Sequence, residues 1–263
     1  MAVTCSMIEA GFRALPHELE IGQHFDILSP MGFFLALLAL LKVARGGGML
    51  AAPVCSSWGY MTRGGTCRTH GFPHGDERVR AVADANVMVA RVCLLCYVAA
   101  ARGILFIVEQ PVGSRLELHK WFQKLSRDLT LWRHTIHMHH FGGARYKPTW
   151  LYCNERLIED LSKYSLRSFV DESPATPLVH TWYDKSGRRR IAGNSNLKKS
   201  QAYPTGFGRA VACLYKEHSH FLREKAAQTE LRGLELHAGG APPGAPDCCG
   251  VADCLHAYRR MTA

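Results

Sequence analysis

The sequence lacks the features that would assign it to a secreted, membrane-spanning or repeat protein. Its N-terminus contains Glu9 and no charged-then-apolar pattern typical of a secretory signal. No segment stands out as a membrane span or a lipid anchor, because the strongly apolar run at residues 31–41 ends at Lys42 and is too short to cross a bilayer. No internal repeat is present. We therefore expect one intracellular domain, with a core of ordinary size, within the 263 residues.

Acidic residues are scarce relative to basic ones. The chain has 22 Asp and Glu against 32 Lys and Arg, which gives a formal net charge of +10 at pH 7. This charge suits a polyanion, so we expect DNA as the partner, with RNA as the alternative and no membrane partner. A solvated basic surface accounts for the charge equally well. A DNA partner would place the protein in the nucleus.

Ten cysteines are present, but they form no pattern typical of a metal site. Without a secretory signal, they are expected to be reduced thiols. Cys93 and Cys96 form a single C-x-x-C in an apolar helical stretch, which predicts core packing rather than zinc binding. A Gly/Pro-rich segment starts at Gly239, and residues 228–263 are predicted as a disordered tail. This tail contains four residues that could bind zinc, but their spacing suits no common zinc module: Cys248, Cys249, Cys254 and His256.

The sequence does contain alternating signals for strands and helices. Ser29 and Pro30 begin a helix, and the glycines at 46–48 end it. A short apolar strand at residues 49–52, a long helix at 78–102 and a β-branched strand at 104–109 follow. This order predicts an α/β fold with a mostly parallel sheet flanked by helices. Weaker signals predict strands at 11–16, 24–28, 131–139 and 149–152, helices at 118–125, 155–164 and 207–227, and loops at 56–77 and 171–206.

Two residues with catalytic potential follow the two strongest strands. Cys55 comes just after the strand at 49–52, and Glu109 is the last residue of the strand at 104–109. Ligands of open α/β sheets bind at the carboxyl ends of strands, and one helical crossover joins these two. A cysteine in such a position is often only a small buried residue, and a glutamate at a strand end is often only solvated. Together, at one edge of the sheet, they predict a site that contains a thiol and a carboxylate.

Short motifs around both residues resemble those of cytosine-5 DNA methyltransferases. Residues 52–58 (APVCSSW) are similar to that family's P-P-C loop, and Glu109-Gln110-Pro111 to its E-N-V or E-N-P motif. The resemblance covers roughly residues 10–218. Its further parts are Phe141-Gly142 with Lys147-Pro148-Thr149 and Asn154, which resemble a Y-G-x-x-x-x-K-P-T segment, and residues 200–214, which resemble the closing helix.

The resemblance implies a Rossmann-like methyltransferase domain at residues 1–227, with a short variable region at about 155–199. It implies that the Cys55 thiolate adds to C6 of cytosine and that Glu109 hydrogen-bonds N3 and the exocyclic amine. The implied cofactor is S-adenosylmethionine. Its implied contacts are Asp26 to the adenine, Glu18 to the ribose, and Pro53 in the loop before the nucleophile.

Basic residues near the motifs are candidates for binding nucleic acid. Arg63, Arg68 and His70 lie in the loop after Cys55, where they can contact phosphate, although a solvated loop accounts for them equally well. Lys147 of the K-P-T segment is a fourth candidate. A cytosine must leave the duplex to reach a pocket of this kind.

The chain departs from the family in several places. The glycine-rich D-x-F-x-G-x-G loop that would precede Gly11 is absent, so we expect an N-terminally incomplete domain with weak or no cofactor binding. Val54 replaces the second proline of P-P-C, Gln110 replaces the asparagine of E-N-V, and no Q-x-R-x-R strand is recognisable. These departures favour, as an alternative, an inactive relic that binds nucleic acid or serves as an interaction domain. A cysteine hydrolase remains a further alternative, with Cys55 paired to one of His134, His137, His139 and His140.

Overall fold

A computed structural model describes residues 2–143, 147–166, 179–193 and 202–238. The helices are α1 (Ala2–Glu9), α2 (Pro30–Lys42), α3 (Arg63–Thr66), α4 (Arg80–Ala101), α5 (Lys120–Asp128) and α6 (Thr205–Ala238). The strands are β1 (Gly48–Ala51), β2 (Leu105–Pro111), β3 (Trp132–His137), β4 (Pro148–Cys153), β5 (Val179–Tyr183) and β6 (Arg189–Gly193). Short 3-10 helices cover Gln23–Phe25, Tyr60–Thr62, Arg115–Leu118, Met138–Phe141 and Arg156–Tyr164.

The central sheet is mixed, with the strand order β1-β2-β4-β3. β1 pairs parallel with β2, whereas β4 pairs antiparallel with both β2 and β3. The prediction of a mostly parallel sheet is therefore wrong. β3 and β4 are antiparallel because the connection between them, residues 138–147, is short. A connection of this length can join antiparallel neighbours, but a parallel pair requires a longer crossover. The fold is α/β, with a mixed four-stranded sheet flanked by helices.

Side chains alternate between the two faces of the sheet along β2, and those on both faces are apolar. Helices therefore pack against both faces. Phe106 and Val108 point to the side of α2, α4 and α5, where Cys93 and Cys96 are buried in the core as predicted. The opposite face of β2 packs against the first part of α6 and the 3-10 helix Arg156–Tyr164, through Leu105, Ile107, Phe207, Val211 and Leu214. Because both faces are covered, β2 is the continuous apolar strand that its sequence predicts.

The central helix α4 is long and apolar enough, by length and composition alone, to cross a membrane. Its residues Val89, Cys93 and Cys96 are nevertheless buried in the core described above. A core helix of this kind meets the same criterion, so α4 is uninformative about a membrane.

Several weaker predictions differ from the structure. No strand forms at residues 11–16, and the strand expected at 24–28 is replaced by the 3-10 helix Gln23–Phe25. The helix expected at 155–164 is also a 3-10 helix, and α1 was not predicted. Within the loop expected at 171–206, β5 and β6 form a hairpin, while 171–178 and 194–201 lie outside the described residues.

The chain divides into two compact units, Met1–Phe221 and Leu222–Ala263. The second unit is described only through Ala238, as the last part of α6. The helix therefore continues past its predicted end at Ala227 into residues that were expected to be disordered. The zinc-ligand candidates near the C-terminus lie outside the described residues.

Candidate functional site

Three strands end at the same edge of the sheet. β4 runs antiparallel to both β2 and β3, so β1, β2 and β3 share one direction and their carboxyl ends meet. β4 begins at this edge, with Pro148 opposite His137 and Thr149 opposite Pro111. The loop that carries Cys55 leaves β1 here, and Glu109 lies near the end of β2. Cys55 and Glu109 therefore lie at one edge of the sheet, as their positions in the sequence predict.

The Cys55 loop is tied to β2 by the side chain of Gln110. This residue is fully buried, and its Nε2 donates a hydrogen bond of 2.7 Å to the carbonyl oxygen of Pro53. Its Oε1 accepts a hydrogen bond of 2.8 Å from Ser114. The amide of Trp58 donates to the carbonyl of Cys55 across 2.9 Å and closes the turn after the thiol. Gln110, a departure from the family motif, thus fixes the position of the loop.

Glu109 is almost fully buried and is contacted from two other elements. The hydroxyl of Tyr203, just before α6, donates a 3.0 Å hydrogen bond to Oε2. The ammonium of Lys147, just before β4, lies 3.3 Å from Oε1, close enough for an ion pair. Within the described residues, Oε1 is buried and accepts no aligned hydrogen bond. We call Cys55, Glu109, Lys147 and Tyr203 the edge cluster.

The groups of the edge cluster act on one another electrostatically. Burial raises the pKa of the Cys55 thiol, the negative charge of Glu109 raises it further, and the ammonium of Lys147 opposes both. Burial and then the charge of Glu109 also raise the pKa of Tyr203 well above its usual value. At neutral pH, without a ligand, Cys55 is therefore a protonated thiol and Tyr203 a hydrogen-bond donor.

Sequence reasoning missed Tyr203 and the role of Lys147. Tyr203 enters the sequence argument only as part of the segment at 200–214, and Lys147 only as a candidate for phosphate binding. Their partner Glu109 is distant in sequence, so no local pattern indicates the contacts. The one available signal was that Tyr203 and Lys147 each stand immediately before a proline, Pro204 just before α6 and Pro148 at the start of β4.

The acidic residues predicted to hold the cofactor lie in one packed segment. The ring of His17, beside Glu18, packs edge-on against Phe25, beside Asp26, with a centroid distance of 5.2 Å. The charge of Glu18 also contributes to the raised pKa of Tyr203, less than burial and the charge of Glu109 do. Asp26 Oδ1 accepts a 2.9 Å hydrogen bond from the amide of Leu28.

These residues fit S-adenosylmethionine only in part. Glu18 is half-buried and can accept hydrogen bonds from ribose hydroxyls. One oxygen of Asp26 holds its own turn, and the carbonyl of Pro53 already accepts from Gln110. Glu18 and Asp26 are therefore the residues that would hold the cofactor.

Arg68 is not available to contact phosphate. Its side chain is only 1% exposed, and its guanidinium lies 3.5 Å over the ring of Trp58. Its nitrogens donate to Ser57 Oγ, the carbonyls of Pro73, His74 and Val82, and Asn86 Oδ1, at 2.6–3.3 Å. Burial lowers the pKa of Arg68 to about 10, which still leaves it charged. It closes the loop after Cys55, so its prediction as a nucleic-acid contact requires correction.

The other basic candidates differ in exposure. Arg63 and His70 are exposed, and the guanidinium of Arg63 lies 4.4 Å from the ring centroid of Tyr60. Lys147 is only 18% exposed and pairs with Glu109, so it belongs to the edge cluster. Asn154, which the resemblance included, lies at the opposite end of the sheet, where it bonds the backbone of Phe106 and Ile104.

Histidines collect at the same edge as Cys55, at the end of β3. The ring centroids of His137 and His140 are 5.3 Å apart, and those of His139 and His140 are 4.1 Å apart. His134 instead contacts Ser162 at 2.8 Å. Among the described residues, the charged groups that act on the Cys55 thiol are Glu109 and Lys147 and include no histidine. Among the residues that the structure describes, no cluster of three or more His, Cys, Asp or Glu side chains could hold a metal ion.

A separate cavity of about 490 Å³ lies beside the loop after Cys55, lined by residues that include Cys67, Phe72, His74, Glu77 and Lys120. Neither Cys55 nor Glu109 lines it.

No protein-family model, curated protein or solved structure matches the chain. Function is therefore inferred from the edge cluster and the motifs that surround it.

Proposed function

We propose that the edge cluster transfers a methyl group to C5 of cytosine in nucleic acid through a covalent adduct with Cys55. The observation that supports this most is the buried Glu109 carboxylate, with one oxygen that accepts no aligned hydrogen bond, beside a thiol at the ends of adjacent parallel strands. The resemblance to cytosine-5 DNA methyltransferases supplies the reaction. S-adenosylmethionine supplies the methyl group when bound. DNA is the proposed substrate and RNA the alternative.

The reaction requires a thiol and a carboxylate together. C5 of cytosine is a weak nucleophile, and attack of the Cys55 sulfur on C6 converts the ring into an enamine that reacts at C5. Glu109 Oε1 would accept from the exocyclic amine, and the carboxyl group would pass the proton of the Cys55 thiol to N3 as charge develops on the ring. After C5 has received the methyl group, a water molecule would take the proton from C5 as the C5–C6 double bond re-forms and the C6–S bond breaks. The proton on N3 would return through Glu109 to the Cys55 sulfur.

The electrostatics of the cluster suggest how the thiol becomes reactive only with substrate present. The charge of Glu109 raises the pKa of Cys55, so the free site holds a protonated thiol. N3 of a neutral cytosine carries no proton, so a bound base would accept the thiol proton through Glu109 as the Cys55 sulfur attacks C6, while Lys147 continues to favour the thiolate. Lys147 is therefore a positioning and charge-balancing residue in the proposed mechanism.

The proposal includes a Rossmann-like methyltransferase fold. Its support is the unit formed by β1, α4 and β2, in which a helix crosses between two parallel strands. The net charge of +10 supports a polyanionic substrate.

The direct test is to trap the adduct. Wild-type protein would be incubated with S-adenosylmethionine and oligonucleotides that contain 5-fluorocytosine, whose C5 fluorine blocks the release step. We expect a covalent complex with wild type and with Cys93→Ser, since Cys93 is buried in the core, and none with Cys55→Ser. An adduct that maps to another cysteine would overturn the assignment of the nucleophile.

A second candidate function is a relic that binds nucleic acid without catalysis. It is favoured because both oxygens of Glu109 are already contacted, by Tyr203 and Lys147, and because the pKa of Cys55 is raised. Under this hypothesis, the fluorinated oligonucleotides bind reversibly, and neither the wild type nor either cysteine variant forms an adduct. The same experiment therefore separates the two candidates.

A further inference from the structure

The β5–β6 hairpin exposes aromatic side chains that no described element covers. Trp182 is 43% exposed and Tyr183 is 70% exposed. A two-stranded hairpin has no core of its own, so large aromatic residues on it are costly unless they bind something. The edge cluster does not involve this hairpin.

The strand register sorts these side chains onto two faces. Trp182 pairs with Arg190, and Tyr183 pairs with Arg189. His180 and Trp182 share one face, where their rings stack at a centroid distance of 4.8 Å and an interplanar angle of 18°. Tyr183 lies on the other face. Each face thus presents a flat aromatic surface beside an arginine.

The turn between the strands is held in a defined shape. Asp184 Oδ1 accepts hydrogen bonds from Ser186 and from the amide of Arg188, at 2.6–3.0 Å. Asp184 Oδ2 accepts a 2.8 Å bond from Arg190 and neutralises that cation. Among the residues that the structure describes, Lys185, Arg188 and Arg189 are exposed and form no ion pair, so the tip carries three available positive charges.

We propose that the β5–β6 hairpin binds single-stranded nucleic acid. Unpaired bases stack on the His180–Trp182 pair and on Tyr183, and the phosphates contact Lys185, Arg188 and Arg189. Aromatic platforms flanked by cations are the usual means of binding single strands without reading their sequence. This inference does not depend on methyl transfer and holds whether or not Cys55 is a nucleophile.

A duplex is the competing ligand, because a two-stranded ribbon can enter the major groove. The side chains favour a single strand. Bases in a duplex are stacked on one another and cannot stack on Trp182 or Tyr183, which would remain exposed in a groove. Neither stacking nor phosphate contact reads the 2′-hydroxyl, so DNA and RNA strands should bind alike.

The test measures fluorescence anisotropy of end-labelled oligonucleotides with the full-length protein and no methyl donor. We expect single-stranded DNA and RNA of one sequence to bind within a few-fold of each other, and the matching duplex to bind at least about tenfold more weakly. Trp182→Ala and Tyr183→Ala should each weaken single-strand binding about tenfold or more. Replacing Lys185, Arg188 and Arg189 with alanine should reduce the slope of log affinity against log salt by about 2.

The matched control is Trp121→Ala on α5, since Trp121 is 42% exposed and lies outside the hairpin. It should bind single strands like wild type, and Trp182→Phe should bind better than Trp182→Ala because the phenyl ring still stacks. Circular dichroism establishes that each variant is folded. Equal affinity for duplex and single strand, or unchanged binding by Trp182→Ala and Tyr183→Ala, would overturn the inference. Failure of methyl transfer alone would not overturn it, because the anisotropy measurement involves no chemical reaction.

Discussion

The hydroxyl of Tyr203 donates a hydrogen bond to Oε2 of Glu109 across 3.0 Å, although the residues are 94 positions apart. The contact joins the segment before α6 to the end of β2 inside a buried site. It keeps one carboxylate oxygen hydrogen-bonded, while the other lies 3.3 Å from the ammonium of Lys147.

We predict that Tyr203→Phe destabilises the protein by about 1–3 kcal/mol, because a buried carboxylate oxygen loses its donor. Urea unfolding followed by circular dichroism measures the change. Tyr60→Phe, at a residue that is 53% exposed, is the control and should have little effect. Equal unfolding midpoints for Tyr203→Phe and wild type would show that the hydrogen bond contributes no stability.

The reactivity of Cys55 should depend on its two charged neighbours with opposite signs. Glu109→Gln removes a negative charge, so the pKa of Cys55 should fall and alkylation by iodoacetamide should accelerate at a fixed pH. Lys147→Met removes the opposing cation, so the pKa should rise and the rate profile should move to higher pH. Mass spectrometry of the Cys55 peptide measures the rate, with the exposed Cys213 as an internal control. Shifts in the same direction for both variants would contradict this arrangement.

Methyl transfer should be lost in Glu109→Gln even though its thiol is more easily ionised. The amide cannot stabilise the charge that develops on the base, and a loss of about 100-fold or more is expected. Incorporation of tritiated methyl groups into cytosine-containing DNA and RNA measures the rate. Activity near that of wild type would remove Glu109 from the mechanism.

Binding of S-adenosylmethionine should be weaker than micromolar. The carbonyl of Pro53 and one oxygen of Asp26 are already hydrogen-bonded within the protein, which reduces the number of acceptors for the cofactor. Isothermal titration calorimetry measures the affinity, and Glu18→Gln should abolish what binding remains. A dissociation constant of micromolar or below would show that further residues complete the pocket.

Stability should fall in mild acid because His119 is buried in its neutral form. Burial, with contributions from His74, Arg68 and Lys120, lowers the pKa of His119 to about 3. The unfolded chain takes up this proton below about pH 6.5 and the folded chain does not, so stability is lost as the pH falls from about 6.5 toward 3. The loss is up to about 1.4 kcal/mol per pH unit. His119→Gln should flatten this dependence, as measured by urea unfolding at pH 7 and pH 5.

Sequence patterns predicted the parts of the structure that depend on neighbouring residues. The apolar run of β2 and the glycines after α2 are local signals, and the single helical crossover between β1 and β2 was enough to bring Cys55 and Glu109 to one edge. The insertion of β4 between β2 and β3 was not predicted, because strand order depends on contacts between distant segments. The hairpin was missed although residues 179–183 and 189–193 flank a D-K-S-G turn signal.

Charged residues were the hardest to place from sequence. Arg68 lies in a stretch rich in Gly, Thr and His, which predicts a solvated loop. Its burial depends on acceptors supplied by residues as far away as Val82 and Asn86, together with the ring of Trp58. No local pattern indicates that such a set of acceptors will form around one guanidinium.

The alternation of side chains along β2 places neighbouring polar residues on opposite faces of the sheet. Glu109 faces the side of α6 with Ile107, whereas Gln110 faces the side of α4 with Val108 and holds Pro53 there. Substitution of Glu109 would therefore disturb the contacts with Tyr203 and Lys147, whereas substitution of Gln110 would release the loop that carries Cys55.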